Sequence, residues 1–372
     1  MQRHHIFQVN RLMGVLLAIL MLATPLSALA QAPIPADAVS VINGDPISRE
    51  AFHARVRLVR WQYLHELTAL YEATGGNFGL TPAYVKNLVT NLQDPSLLGD
   101  AVLAEMEEER LLWQTGERLG VTPTAEDAAL REANFFSAWT NISVDLLDSS
   151  GEARQFIAEW YADAMAYSGL SENDIRLLFE TDALHSRLYE YVAASVPTEE
   201  LAANTRHILC SFHPADPGDT TPPTQAERDA AQTCIQGARI RLANGEDFAT
   251  VAADLSDDAI SAIDGGNVGW SLLSFLTESY ADAARDAELN TLIGPVETEF
   301  GLHLIEVLDR QMQTLTDSQL EQSQQGYFQL WLEALREEAT ITRLPGWDGD
   351  LPTDPALEAV DPAILEAIAE IQ

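Results

Sequence analysis

The sequence predicts an α+β protein that combines a mostly helical part, made from both ends of the chain, with a small sheet-containing domain between them. Long helix-like stretches precede residue 196, and another follows residue 315. Between them, two short apolar runs, RHILC around His207 and GLHLIEVL around His303, are typical of strands. Each run carries a histidine expected to point inward, so we predict a small sheet that closes on itself and brings both imidazoles to one face.

Length and charge narrow the classes of protein and partner. A chain of 372 residues suggests two or more domains, and a hydrophobic content of 47% excludes a disordered polypeptide. The formal net charge is −36, with 57 acidic residues against 21 basic ones. Such a surface repels nucleic-acid phosphates and anionic lipid headgroups, so we expect no nucleic-acid partner.

Residues 1–30 are predicted to be an export signal. Arg3 and Arg11 give a positive start, residues 12–23 are apolar, and residues 28–30 read Ala-Leu-Ala, a small-residue cleavage site. The apolar run is shorter than the roughly 20 residues of a spanning helix. We therefore expect an extracytoplasmic protein, in the periplasm or cell envelope or secreted. An uncleaved anchor is the alternative, and it would be the protein's only contact with a membrane.

The helical part before the boundary is predicted to occupy residues 38–196. It opens with a short strand at 39–42 and a turn, after which Ser48 caps the first helix. Four tryptophans, Trp61, Trp113, Trp139 and Trp160, fall on or beside its helices, where they form a bundle core or an apolar groove. The predicted helices cover residues 49–73, 82–92, 97–119, 124–138, 152–167 and 172–194.

A proline at position 197 marks the boundary into the sheet-containing domain, predicted at 202–310. After it, residues 317–339 form a helix with an apolar stripe, and 340–342 form a strand. The last segment, 348–372, is acidic and punctuated by prolines, so we expect it to be mobile apart from a last turn at 363–371.

Four motifs in order carry a resemblance: RHIL, NGEDFATVAADLSDD, SAIDGGNVGW and IGPVETEFGLHLIEVLDR. Together they resemble the parvulin (rotamase) family of peptidyl-prolyl cis–trans isomerases, over about a quarter of the chain. The export signal, the helical flanks and the opening VSVINGDPISREAF are similar to extracytoplasmic foldases of the SurA/PrsA type. The resemblance implies a four-stranded antiparallel sheet surrounded by helices, inserted into a chaperone-like helical domain. It also implies that residues 315–347 pack back on the N-terminal domain, where strand 39–42 gains a partner in 340–344.

The chemistry that the resemblance implies is rotation about the bond before proline. The barrier is roughly 18–20 kcal/mol, and the unassisted reaction takes tens of seconds. It needs a dry pocket and preorganised polar groups rather than a nucleophile or redox group, so we expect no cofactor. His53, His65 and His185 lie on predicted helices without ligand spacing, and no metal site is expected.

The resemblance implies four catalytic residues. His207 and His303 match paired histidines that hydrogen-bond each other. Asp258 matches the position beside the carbonyl of the rotating bond, and Thr298 matches a hydroxyl that completes the histidine network. The resemblance also implies four substrate-binding residues. They are Leu276 and Tyr280 at the floor of the proline pocket, Val268 as a small apolar wall, and Phe300 at a more variable neighbouring position.

Two departures from the family bear on specificity. Residues 211–217 carry no lysine or arginine, where phosphate-directed parvulins have a basic cluster. Tyr280 stands where phenylalanine is usual, and its hydroxyl must find a partner or water. The expected partners are unfolded or folding exported polypeptides that contain proline. The alternatives are a binding-only chaperone with an inactive rotamase module, or an envelope scaffold in which both modules only mediate contacts. The two histidines could also serve mainly to brace the fold.

Two cysteines complete the candidate residues. Cys210 lies three residues after His207, so strand alternation places it on the opposite sheet face. Cys234 lies in a helical stretch expected to pack on that face. Export would allow a Cys210–Cys234 disulfide, and two buried free thiols are the alternative.

Overall fold

The computed structural model describes residues 34–371, so the predicted export signal lies outside the described residues. The chain divides into two compact units. One, the sheet unit, is Val196–Gln325; the other, the helical unit, joins residues 34–195 to residues 326–371. This division confirms the predicted α+β class, with a helical unit built from both ends of the chain.

Caps in the sequence set the limits of the helices in the helical unit. The Ser48 side chain accepts a hydrogen bond from the Ala51 amide at the start of the first helix. Thr124 and Ser171 each form a reciprocal capping box with an aspartate three residues later. The helices are α1 (Arg49–Ala73), α2 (Pro82–Gln93), α3 (Pro95–Leu119), α4 (Ala125–Thr140), α5 (Gly151–Ser168) and α6 (Glu172–Ala193).

A three-stranded antiparallel sheet joins the two ends of the helical unit. Its order is β2 (Asp45–Ser48), β1 (Ala38–Ile42) and β7 (Ile341–Arg343). Val41 lies opposite Thr342, which is the pairing expected between the first and last strands. Strand β2 was not predicted from the sequence. It contains Pro46, which has no amide hydrogen to donate. An edge strand tolerates proline because the outward-facing backbone positions of such a strand need no partner within the sheet.

The C-terminal segment corrects the prediction of a mobile tail. Its last helix, Pro362–Ile371, and the preceding turn bury Leu357, Val360, Ile364, Ala367 and Ile368 in a core shared with α1 and α2. These apolar residues recur at helical spacing, while the acidic residues between them face outward. The acidic composition is therefore that of a solvated helix face. Arg60 of α1, only 2% exposed, donates to the Pro355 carbonyl at 3.0 Å and fixes this segment.

The sheet unit contains a four-stranded antiparallel sheet in the order β4-β3-β6-β5. Strands β3 and β6 pair over almost their whole length and extend beyond both ends of the predicted 202–310 domain. The strands are β3 (Glu199–Ser211), β4 (Asn267–Leu272), β5 (Leu292–Glu297) and β6 (Gly301–Thr314). The helices of the sheet unit are α7 (Gln225–Ala243), α8 (Phe248–Leu255), α9 (Ala259–Ile263), α10 (Glu278–Asp286) and the start of α11 (Asp317–Glu338), which continues into the helical unit. The last helix of the helical unit, Pro362–Ile371, is α12.

Strand alternation gives the two faces of this sheet different partners. Ile208, Cys210 and Leu304 pack with α7 and α8. Cys210 is bonded to Cys234 of α7, with Cα atoms 6.0 Å apart, so of the two states left open for these cysteines the structure contains the disulfide. The other face carries His207 and His303.

Within residues 34–371, no helix is both long enough and apolar enough to cross a membrane. Over the same residues, no group of three or more histidine, cysteine or acidic side chains is arranged to hold a metal ion.

Candidate active site

The two histidines meet on one face of the sheet. His207 of β3 lies opposite Ile305, and His303 of β6 lies opposite Leu209, so the two rings are diagonal neighbours across the paired strands. Their Nδ1 atoms are 3.2 Å apart. Both residues are buried, with 7% and 4% of their surface exposed.

Asp258 binds the outer edge of this pair. It caps α9, and its Oδ1 accepts hydrogen bonds from the Ile260 and Ser261 amides, which fixes the carboxylate. Its Oδ2 lies 2.9 Å from His207 Nε2. The Asp258 side chain keeps 28% of its surface exposed, so it is the member of the network that solvent or a substrate can reach.

Ser261 belongs to the same network, although the sequence did not single it out. Its Oγ donates to Asp258 Oδ2 at 2.6 Å and lies 3.1 Å from His207 Nε2. It is 4% exposed. The only signal in the sequence was a serine three residues after a helix-capping aspartate, which is common and carries no functional meaning by itself.

Thr298 binds the inner edge of the pair. It lies just after β5, and its Oγ1 is 2.8 Å from His303 Nε2. The same oxygen accepts the Phe300 amide at 3.2 Å. Thr298, the two imidazoles and Asp258 therefore form one continuous chain of hydrogen bonds through the interior of the sheet unit.

The donors in this chain have a single consistent direction. An ionised Asp258 can only accept, so His207 Nε2 carries a proton, and His207 Nδ1 is the acceptor of a neutral ring. His303 must then donate from Nδ1, which leaves its Nε2 to accept the Thr298 hydroxyl proton. Thr298 in turn accepts from the Phe300 amide, so every polar group has a partner.

Burial and charge support these protonation states. Burial lowers the pKa of His303 to about 3, helped by the neighbouring His207. Burial also lowers the pKa of His207, against the opposing effect of Asp258. Burial would raise the pKa of Asp258, but hydrogen bonds from Ser261 and His207 outweigh it and hold that pKa below its ordinary value. At neutral pH both imidazoles are neutral and Asp258 is ionised.

Tyr280 of α10 packs its ring against both histidines. Its ring centroid is 5.9 Å from that of His207 and 5.5 Å from that of His303, both edge-to-face. The hydroxyl that the sequence left without a partner donates to Thr205 Oγ1 at 3.0 Å. Burial raises the pKa of Tyr280 to about 12, so the hydroxyl stays protonated. Leu276 is half-buried against the same apolar cluster.

Val268 and Phe300 are the two remaining residues predicted to bind substrate. Val268 is half-buried in β4, where the pairing with β3 shifts register so that it is the extra residue of a bulge between Asn267 and Gly269. Phe300 joins the hydrogen-bond network through its backbone: its amide donates to Thr298, and its carbonyl accepts from Ser211.

Comparison with known proteins agrees with this geometry. Residues 207–309 match the family model described as "Rotamase: PPIC-type PPIASE domain". The fold, the paired histidines and this match define a parvulin-type rotamase domain. That domain accounts for less than a third of the chain.

The chain is similar to SurA chaperones. The chain is 34% identical over 145 residues to Chaperone SurA of Chromohalobacter salexigens, which covers 37% of this chain and 31% of that protein. It is 26% identical over 286 residues to Chaperone SurA of Methylobacillus flagellatus, covering 70% of this chain and 62% of that protein. The chain thus contains a parvulin-type rotamase domain and is similar to SurA chaperones, and it spans less than two thirds of the length of these relatives.

Among solved structures, the chain is similar to a peptidylprolyl isomerase (PrsA) from Bacillus cereus. The identity is 16% and the TM-score 0.38, over 91% of this chain and 99% of that one.

Proposed function

We propose that this chain is an exported peptidyl-prolyl cis–trans isomerase that acts on Xaa-Pro bonds of exported polypeptides and also holds them as a chaperone. The observation that carries the proposal is the continuous network from Thr298 through both histidines to the partly exposed carboxylate of Asp258. The helical unit supports the chaperone part, since SurA chaperones are the relatives that align with it.

The proposed site lowers the rotation barrier in two ways. Resonance gives the peptide C–N bond its double-bond character by placing negative charge on the carbonyl oxygen. Water stabilises that charge, so an apolar surface formed by Tyr280 and Leu276 weakens the resonance by excluding water. The Asp258 carboxylate, placed beside the same oxygen, disfavours the charge further. Both effects destabilise the planar amide more than the twisted one, so they lower the free energy of activation for rotation.

The neutral histidines have a positioning role in this proposal. Neither imidazole needs to exchange a proton, because no bond is made or broken during rotation. His303 holds His207, and His207 holds the Asp258 carboxylate through Nε2. The network therefore fixes a charge at the mouth of an apolar site without a salt-bridging cation, which would cancel its field.

A protease-coupled assay on a short Xaa-Pro peptide tests the proposal. We expect wild type to accelerate isomerisation well above buffer, and Tyr280→Ala to lower kcat/KM by about tenfold or more because the apolar surface is removed. Tyr280→Phe is the matched control, since it keeps the ring and loses only the hydrogen bond to Thr205. Activity of folded wild type equal to that of buffer would refute the isomerase.

A second assay separates the alternative of a binding-only chaperone. Suppression of client aggregation is measured for wild type, Tyr280→Ala and His303→Ala. If wild type is inactive in the first assay but suppresses aggregation equally well in all three forms, the rotamase module is inactive and the chain acts by binding alone.

A further inference from the structure

The helical unit contains a cavity whose lining includes no residue of the histidine network. Its volume is about 490 Å³, within the range of sites that bind small molecules or peptide side chains. Strand β2 and helices α1, α3 and α6 supply its walls. Nothing in the proposed isomerisation uses it.

Part of the cavity lining is apolar. Met106, Trp113, Leu177 and Leu178 line it. The Trp113 indole Nε1 donates to Thr181 Oγ1 at 2.9 Å, which fixes the ring against α6. Leu177 is 46% exposed.

The charged wall of the cavity has an excess of carboxylates among the described residues. Arg55 is paired with Glu109 at 2.9 Å, and Arg110 with Asp45 at 2.9 Å, so both lining guanidiniums are already neutralised. Glu117 and Asp174 also line the cavity. Hydrogen bonds from Ser171 lower the pKa of Asp174, which therefore keeps its charge.

We propose that this cavity binds an extended polypeptide segment in which a large apolar side chain lies beside an arginine or lysine. The apolar side chain packs on Trp113 and Leu177, and the cation lies near Glu117 and Asp174. Charge complementarity selects this occupant over an acidic segment. The inference rests on the proposed chaperone role and adds the class of segment that the helical unit selects.

Binding of fluorescein-labelled, proline-free peptides to the full chain tests the inference by fluorescence anisotropy. The probe contains leucine, phenylalanine and arginine; one matched peptide has glutamate for arginine, and another has serine for the two apolar residues. We expect the probe to bind about tenfold more tightly than either matched peptide. Glu117→Arg and Leu177→Ser should each weaken probe binding by about fivefold or more.

Matched control variants come from the same unit. Glu180→Arg changes an exposed acidic residue of α6 outside the lining, and Leu130→Ser changes a 52% exposed leucine of α4. Both should bind the probe as wild type does. Equal binding of all three peptides, or equal loss in lining and control variants, would overturn the inference.

The isomerase and aggregation assays, run on the same preparations, keep the two proposals apart. Failure of isomerisation and aggregation suppression together, with selective probe binding intact, counts against the proposed function alone. Normal activity in both assays without selective probe binding counts against the cavity alone.

Discussion

The protons between Phe300 and Asp258 can be arranged in only one way that satisfies each buried polar group. The arrangement depends on Asp258 being ionised, because an acceptor at one end of the chain sets the tautomer of each ring in turn. His207 and His303 must therefore carry different tautomers although they face each other through the same nitrogen, Nδ1. This asymmetry is a property that solution measurements can detect.

Nitrogen-15 NMR should find His207 protonated at Nε2 and His303 protonated at Nδ1 at pH 7. Burial lowers the pKa of His303 to about 3, so its ring should stay neutral on acidification to about pH 4.5. His213 is an internal control: its hydrogen bond to the Thr221 carbonyl raises its pKa, and it should titrate above its ordinary value of about 6.5. The same tautomer on both site rings would contradict the assignment.

The lowered pKa of His303 also predicts the direction of a stability change. Below about pH 6.5 the unfolded chain binds a proton at this residue that the folded chain does not bind until about pH 3. The unfolding free energy therefore falls as the pH falls through this window. A single such group contributes a slope of at most about 1.4 kcal/mol per pH unit.

Ser261→Ala should shift the acid limit of isomerase activity to higher pH. The Ser261 hydroxyl helps to keep the pKa of Asp258 low, and the proposed site needs the ionised carboxylate. Without that donor the pKa of Asp258 rises, so activity is lost earlier as the pH falls, while activity at pH 8 changes little. The measurement is kcat/KM against pH, with the exposed Ser318→Ala as control. An unchanged acid limit would show that Ser261 only packs.

Strand periodicity explains why some elements of this fold could be predicted from the sequence. In β3 and β6, alternate residues form one apolar face and one face that carries a histidine. Both the imidazole pair and the position of the disulfide follow from that alternation. The short β2 carries no such pattern. The last helix is hard to recognise in the sequence because acidic residues separate its apolar positions, although those positions recur at helical spacing.

Ile364→Ala tests whether the last helix belongs to the folded core. Ile364 is 1% exposed among α1 and α2 side chains, so truncation should lower the unfolding free energy of the helical unit by about 3 kcal/mol. Tryptophan fluorescence during denaturant unfolding reports this unit, since only Trp270 of the 7 tryptophans lies in the sheet unit. Glu366→Ala, exposed on the same helix, is the control. Equal effects of both changes on the unfolding free energy would show that this helix is not part of the folded core.

The site as a whole shows what a sequence can and cannot specify. The motif pattern was enough to nominate His207, His303 and Asp258, because their chemistry requires particular side chains at separated places. It could not identify Ser261, whose role depends on where one turn of α9 places a common hydroxyl. Nor could it predict that Arg60 is buried against two carbonyls, since arginines are usually exposed. Contacts of this kind depend on tertiary packing.

The net charge of −36 acts on every approaching polypeptide, whichever site receives it. A field of this sign attracts cationic segments and repels anionic ones over about a Debye length, roughly 10 Å at 0.1 M salt. At about 20 mM salt, a peptide with arginines flanking its Xaa-Pro bond should therefore have a kcat/KM about tenfold above that of a glutamate-flanked peptide. The ratio should fall to within about twofold at 500 mM salt, because screening removes steering but leaves the apolar contacts of Tyr280 unchanged. A serine-flanked peptide, whose rate should vary little with salt, is the control. A ratio that persists at high salt would mean that the preference comes from direct contacts within the site rather than from the charge of the whole chain.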